Sequence, residues 1–169
     1  ADAKRGDIGN TGLHYANAFF NHFNCDAITV SPYMGEESIE PFISNPSKGA
    51  YVLCRTSNKS STFIQEEIYS KVISLCEALN NQQNIGLVVG ATNDDALMQV
   101  RNSTDLPFLI PGIGAQGGDL QSVLKINENS MDTTLINVSR GIIFSGNKDH
   151  DSIRNSAKQY LNQLRGLNG

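Results

Sequence analysis

The 169-residue chain has only three cysteines, Cys25, Cys54 and Cys76, and no two of them form a C-x-x-C pair. An odd number of widely spaced cysteines supports neither a zinc site nor a disulfide framework. Positive charge is also sparse. Thirteen Lys and Arg against 17 Asp and Glu leave a formal net charge of -4, and no basic run exceeds two residues. Nucleic-acid binding needs a basic patch or stripe, so nucleic acid is not an expected partner. No apolar run is long enough to cross a bilayer, and no signal-peptide pattern opens the chain. His14, His22 and His150 have no partner residues at metal-ligand spacing, so no metal is expected. Sequons at Asn58, Asn102 and Asn137 are no more than chance supplies, and Asn137 falls in a strand-like run. These absences predict a reduced, soluble, cytoplasmic protein.

What is present is enough for one folded domain over residues 1–169, with a hydrophobic fraction of 39%. Short apolar, β-branched runs stand at Ala27–Val30, Ala50–Cys54, Ile85–Val89, Phe108–Ile110 and Thr134–Val138. They are nearly continuous rather than alternating, the pattern of parallel strands covered on both faces. Segments of helical period separate them. The clearest spans Thr62 to Leu79, with Ile64, Ile68, Val72, Leu75, Cys76 and Leu79 along one face. A last helix carries Ile153, Ala157, Tyr160, Leu161 and Leu164, with Asp151 or Ser152 as its expected cap and Gly166 as its stop. Weaker helices come after Thr11, Glu37, Asn93 and Gly118, the second limited by Pro41 unless it sits in the first turn.

With the opening Asp2–Lys4 segment counted as a strand, six strand-then-helix units result. That order implies a parallel sheet, either doubly wound or closed. A closed (β/α)₈ barrel takes about eight units. The abrupt start at Ala1, without Met, then predicts the C-terminal six units of such a barrel, with its first two outside the chain.

Three segments carry the chemistry. Asp2 and Lys4 are two apart, so on a strand both side chains share a face. The turn-like Arg5-Gly6-Asp7 and the amphipathic helix after it place them at the C-terminal rim, where α/β folds bind ligands. After the Phe108 run comes Pro111-Gly112-Ile113-Gly114-Ala115-Gln116-Gly117-Gly118, whose glycines permit close backbone approach to an anion. It matches neither the dinucleotide fingerprint nor the P-loop. The next strand ends in Val138-Ser139-Arg140-Gly141, which places Arg140 at the neighbouring rim. Barrels bind phosphate on the loops after their last two strands, and Arg offers a forked donor for it. Arg55-Thr56-Ser57-Asn58 comes after another strand and puts Ser57 on the same rim.

Together these segments resemble the orotidine 5′-monophosphate decarboxylase family. Asp-Ala-Lys-Arg-Gly-Asp-Ile-Gly-Asn-Thr at 2–11 is similar to its Asp-x-Lys-x-x-Asp-Ile-x-Asn-Thr signature, and the segments at 111–118 and 139–141 to its phosphate loops. The resemblance implies a (β/α)₈ barrel that works as a homodimer without cofactor and converts orotidine monophosphate to uridine monophosphate and CO2. It implies Lys4 as proton donor to C6 of the pyrimidine and Asp2 beside the substrate carboxylate. Asp7, Ile8 and Thr11 would reach the partner subunit's site. Ser57 and Pro111 would meet the pyrimidine, and Gln116, Ser139 and Arg140 the phosphate. Two alternatives remain beside it. One is a magnesium-dependent sugar-phosphate decarboxylase or aldolase of the same superfamily, and the other an inactive, truncated phosphate-binding fragment.

Overall fold

The computed structural model describes residues 1–166. The apolar runs form Ala27–Val30 (β1), Gly49–Arg55 (β2), Ile85–Val89 (β3), Phe108–Pro111 (β4) and Thr134–Asn137 (β5). They make one five-stranded sheet in the order β1-β2-β3-β4-β5, and every neighbouring pair is parallel. Strand order that matches sequence order has no reversal point. Right-handed crossovers then place all the connecting helices on one side. That is the wall of a TIM-type barrel, not a doubly wound sheet.

Local chemistry explains the helices. Gly9–Asn17 (α1) runs on into a π-helical turn at Ala18–His22. Glu40–Ile43 (α2) takes Pro41 in its first turn, where the missing N–H breaks no helical bond. Thr62–Leu79 (α3) has the predicted bounds and buries Val72, Ile73 and Cys76. Asp94–Arg101 (α4) is capped by Asn93, which accepts from the Ala96 N–H at 3.0 Å. Leu120–Ile126 (α5) is capped by Asp119. Arg140–Ile143 (α6) is a single turn, and His150–Leu164 (α7) ends before Gly166, which has φ +66°. The cap of α7 is Asp149, not Asp151 or Ser152. Its extended backbone points the carboxylate at the Ser152 N–H, 2.7 Å away.

Phe42, Ile28, Leu87, Leu97 and Phe108 lie fully buried in the core. Burial lifts the Cys54 and Cys76 thiols to about 12, so both pack as small apolar groups. Arg101 closes the start of β4. Its guanidinium lies 3.4 Å from the Phe108 ring centroid, and it donates to Asn127 Oδ1 and to the Thr104 and Leu106 carbonyls.

Two expectations need correction. β3 is buried along its whole length, but β2 and β5 alternate, and Leu135 on β5 is 53% exposed. Their second faces are not covered by the helical layer. The opening segment, expected as a sixth strand, is also not one. It pairs along β1 through Thr29 N to Ala1 O (2.9 Å), Arg5 N to Thr29 O (3.1 Å) and Ser31 N to Arg5 O (2.7 Å), yet only Arg5 makes a bridge. The ladder breaks at Lys4, whose φ of 47° turns its N–H onto the Thr29 hydroxyl at 2.9 Å.

A bulge between Leu53 and Arg55 makes consecutive residues Cys54 and Arg55 face α3. Arg55 is 5% exposed and pairs with Glu66 of α3 at 2.6 Å. The bulge ends β2 and sends Thr56 and Ser57 onto the C-terminal rim.

Candidate active site

The rim is assembled from the segments that leave the sheet at its C-terminal edge. Beside the end of β1, Lys4 Nζ donates to Asp2 Oδ1 at 2.6 Å, and the Thr29 hydroxyl donates to the same oxygen at 3.0 Å. The Lys4 ammonium holds the Asp2 carboxyl below its ordinary value; burial opposes it, and the Thr29 hydroxyl adds a lesser lowering effect. Thr29 is 3% exposed and anchors both partners, because its oxygen also accepts the Lys4 N–H. A left-handed backbone at a non-glycine residue costs about 1–3 kcal/mol and tends to mark functional positions. Lys4 is held in that conformation by these bonds. Both charged side chains remain about half open to solvent, at 51% and 63%, so a ligand can reach them.

Asp7 does not join the pair. Its carboxylate accepts the Ile8 N–H at 2.8 Å, at the entry to α1. Ile8 is 54% exposed and Thr11 is also exposed, so this corner presents itself outward. Among the described residues the ion pairs are Lys4–Asp2, Lys48–Asp26 and Arg55–Glu66.

Across the rim, the Ser57 hydroxyl donates to Gln116 Oε1 at 2.8 Å, which joins the loops after β2 and β4. The close fit here requires glycine. A β-carbon on Gly90 would lie 2.7 Å from the Ser57 nitrogen, and one on Gly118 would lie 2.7 Å from the Ala91 β-carbon. The Gly112, Gly114 and Gly117 backbones have φ of +103°, +71° and +96°, which side-chain-bearing residues rarely adopt. The loop closes on itself through Gly118 N to Gly112 O at 3.0 Å and Gly114 N to Gly118 O at 3.0 Å.

Pro111, Gly112, Gln116, Ser139 and Arg140 line one small pocket between the loops after β4 and β5. The structure thus brings together four expected residues: Pro111, Gln116, Ser139 and Arg140. Arg140 is not at a strand end, since β5 stops at Asn137 and Arg140 opens the α6 turn. Asn137 also lines the pocket and accepts from the Ser139 hydroxyl at 3.3 Å. Asn137 and Thr29 were not expected in the site. Each is a polar residue in an apolar strand run, which is the signal that could have identified them.

One face therefore offers a lysine–aspartate pair, a polar bridge and an arginine-flanked pocket under a glycine loop. That set can place an ammonium against a substrate bearing a phosphate. The orotidine 5′-phosphate decarboxylase / HUMPS family model matches residues 1–152. A curated relative from Dehalococcoides mccartyi, named orotidine 5′-phosphate decarboxylase, is 46% identical over 94% of this chain and 64% of its own length. The solved Leishmania donovani OMP decarboxylase is 39% identical, with a TM-score of 0.84 over 98% of this chain and 66% of that one. The Leishmania donovani UMP synthase structure is 41% identical, with a TM-score of 0.86 over 98% of this chain and 38% of that one. The chain spans less than two thirds of each of these proteins. Parallel strands in sequence order, the rim they carry and the match along residues 1–152 agree: the chain belongs to the orotidine 5′-phosphate decarboxylase / HUMPS family.

Proposed function

We propose that this chain carries the catalytic rim of an enzyme that decarboxylates orotidine 5′-monophosphate to uridine 5′-monophosphate in pyrimidine synthesis. The observation that supports it most is the Lys4–Asp2 contact of 2.6 Å on the same rim as the pocket flanked by Gln116 and Arg140. In the reaction the bond from C6 to the carboxylate breaks, CO2 leaves, and the electron pair stays on C6. Lys4 Nζ then transfers its proton to that carbon. An ammonium fixed at C6 meets charge that exists only as the bond breaks, so it stabilises the transition state more than the ground state. Asp2 holds the lysine and stands beside the substrate carboxylate.

Ser57 and Pro111 contact the pyrimidine, and Gln116, Ser139 and Arg140 hold the phosphate. With Gln116 Oε1 accepting from Ser57, the amide nitrogen of Gln116 is left to donate to the phosphate. Binding energy from that remote group can be used at the reacting carbon. No cofactor takes part. Asp7, Ile8 and Thr11 reach the site of a second copy in a cytoplasmic homodimer, which the exposure of Ile8 and Thr11 favours. The chain supplies the C-terminal part of a (β/α)₈ barrel as a single domain over residues 1–169. Further βα units outside residues 1–169 complete the wall, which the greater length of the relatives favours.

The test is turnover by the intact enzyme. It should release CO2 from orotidine monophosphate, with the rate unchanged by EDTA. Magnesium-dependent turnover of a sugar phosphate, with none of orotidine monophosphate, would assign it to the other branch of the family.

A further inference from the structure

Helix α7 lies outside the rim, yet one of its side chains touches both loops of the phosphate pocket. A β-carbon on Gly114 would stand 2.9 Å from the Tyr160 hydroxyl oxygen, and one on Gly141 would stand 2.7 Å from it. The same oxygen thus occupies the space next to two glycines on different loops. Gly114 is two residues from Gln116, and Gly141 comes directly after Arg140. One turn earlier on α7, the Ser156 hydroxyl donates to the Gly141 carbonyl at 2.8 Å. The Tyr160 ring is half-buried against the core, so its reach is set by packing rather than by a free side chain.

We propose that Tyr160 is a positioning residue for phosphate recognition: its hydroxyl, with Ser156 beside it, spaces the Gln116 loop and the Arg140 turn. The inference rests on the phosphate roles of Gln116 and Arg140 proposed above. Charge-assisted hydrogen bonds need donors near 2.7–2.9 Å, and two loops that drift apart cannot both satisfy one phosphate. A wedge fixed by helix packing holds that spacing before the ligand arrives, which removes an ordering cost from binding. The same contact accounts for glycine at 141, where a β-carbon would meet the tyrosine oxygen, and adds to the positive φ that already favours glycine at 114.

The experiment compares uridine 5′-monophosphate with uridine, by calorimetry on the intact enzyme. Tyr160→Phe keeps the ring and removes only the oxygen. It should weaken the nucleotide about three- to tenfold and leave the nucleoside unchanged, within the usual relation of Kd to contact loss. A second variant keeps the test sharp. Gly141→Ala places a methyl against the tyrosine oxygen, so it should also lose nucleotide affinity, and Gly141→Ala with Tyr160→Phe should recover part of it. Equal weakening of both ligands, or no change in either together with no recovery in the double variant, would overturn the wedge while leaving the phosphate pocket intact. A wild-type enzyme that binds uridine as tightly as its monophosphate would instead overturn the phosphate pocket, and the wedge with it.

Discussion

Ser57 and Gln116, 59 residues apart in the chain, are joined by a 2.8 Å hydrogen bond from the serine hydroxyl to the amide oxygen. In the proposed reaction one residue belongs to the pyrimidine and the other to the phosphate, so the bond couples recognition at the two ends of the nucleotide. Ser57→Ala and Gln116→Ala should therefore be non-additive in kcat/KM. A double-mutant cycle should return a coupling of about 0.5–1.5 kcal/mol, the range of a single hydrogen bond. Strict additivity would separate the two ends.

Arg140 faces the pocket from the α6 turn and is exposed. Arg140→Ala should raise KM for orotidine monophosphate about tenfold to a hundredfold, since a charge-assisted contact contributes about 1.5–3 kcal/mol. Uridine affinity should not move. Steady-state kinetics and nucleoside binding read the two halves of this prediction.

The Arg101 cluster tests the fold independently of the chemistry. Burial works against its charge, lowering its pKa, while the Phe108 ring and three oxygen acceptors compensate. Arg101→Ala would leave the buried Asn127 amide oxygen and the Thr104 and Leu106 carbonyls without that donor. Urea unfolding should show a loss of about 2–4 kcal/mol, a cation–π contact plus unsatisfied buried polar groups. The kcat of the folded fraction should stay at the wild-type value.

The pH dependence has a fixed sign at Asp2. Its folded carboxyl lies below the ordinary 3.8, chiefly through the Lys4 hydrogen bond. The stabilisation from that pair is present above the unfolded value and is lost as pH falls through the lower folded one. The stability gap between wild type and Asp2→Asn should be constant near neutrality and shrink as pH falls below about 4. Asp119 and Asp149, lowered by the backbone N–H groups they cap, add to acid lability in both proteins and cancel in the difference. A gap that widens in acid would reverse the assignment.

Much of this fold was legible because local signals and burial agree. Ala27–Val30 and Ile85–Val89 are strands over their predicted spans, and Thr62–Leu79 is a helix from end to end. Ambiguity entered where one pattern allows several geometries. Asp149, Asp151 and Ser152 can each cap a helix, and only backbone direction selects Asp149. The Asp2–Lys4 segment reads as a strand, but the left-handed turn at Lys4 depends on Thr29, a residue distant in sequence. The bulge that turns Arg55 toward Glu66 and the approach of Tyr160 to Gly114 and Gly141 are also long-range, so neither has a sequence period. The site divides in the same way. Rim positions were readable from the turn residues at the end of each strand, whereas Thr29 and Asn137 entered only through tertiary contact.

The most direct test of the account is single-turnover decarboxylation of orotidine monophosphate by Lys4→Ala, beside its affinity for uridine monophosphate. Loss of a proton donor that also stabilises developing charge should slow the chemical step at least about a thousandfold. Product affinity should stay within about threefold, because Gln116 and Arg140 still hold the phosphate. A variant that retains turnover within about tenfold of wild type would contradict Lys4 as the group that protonates C6.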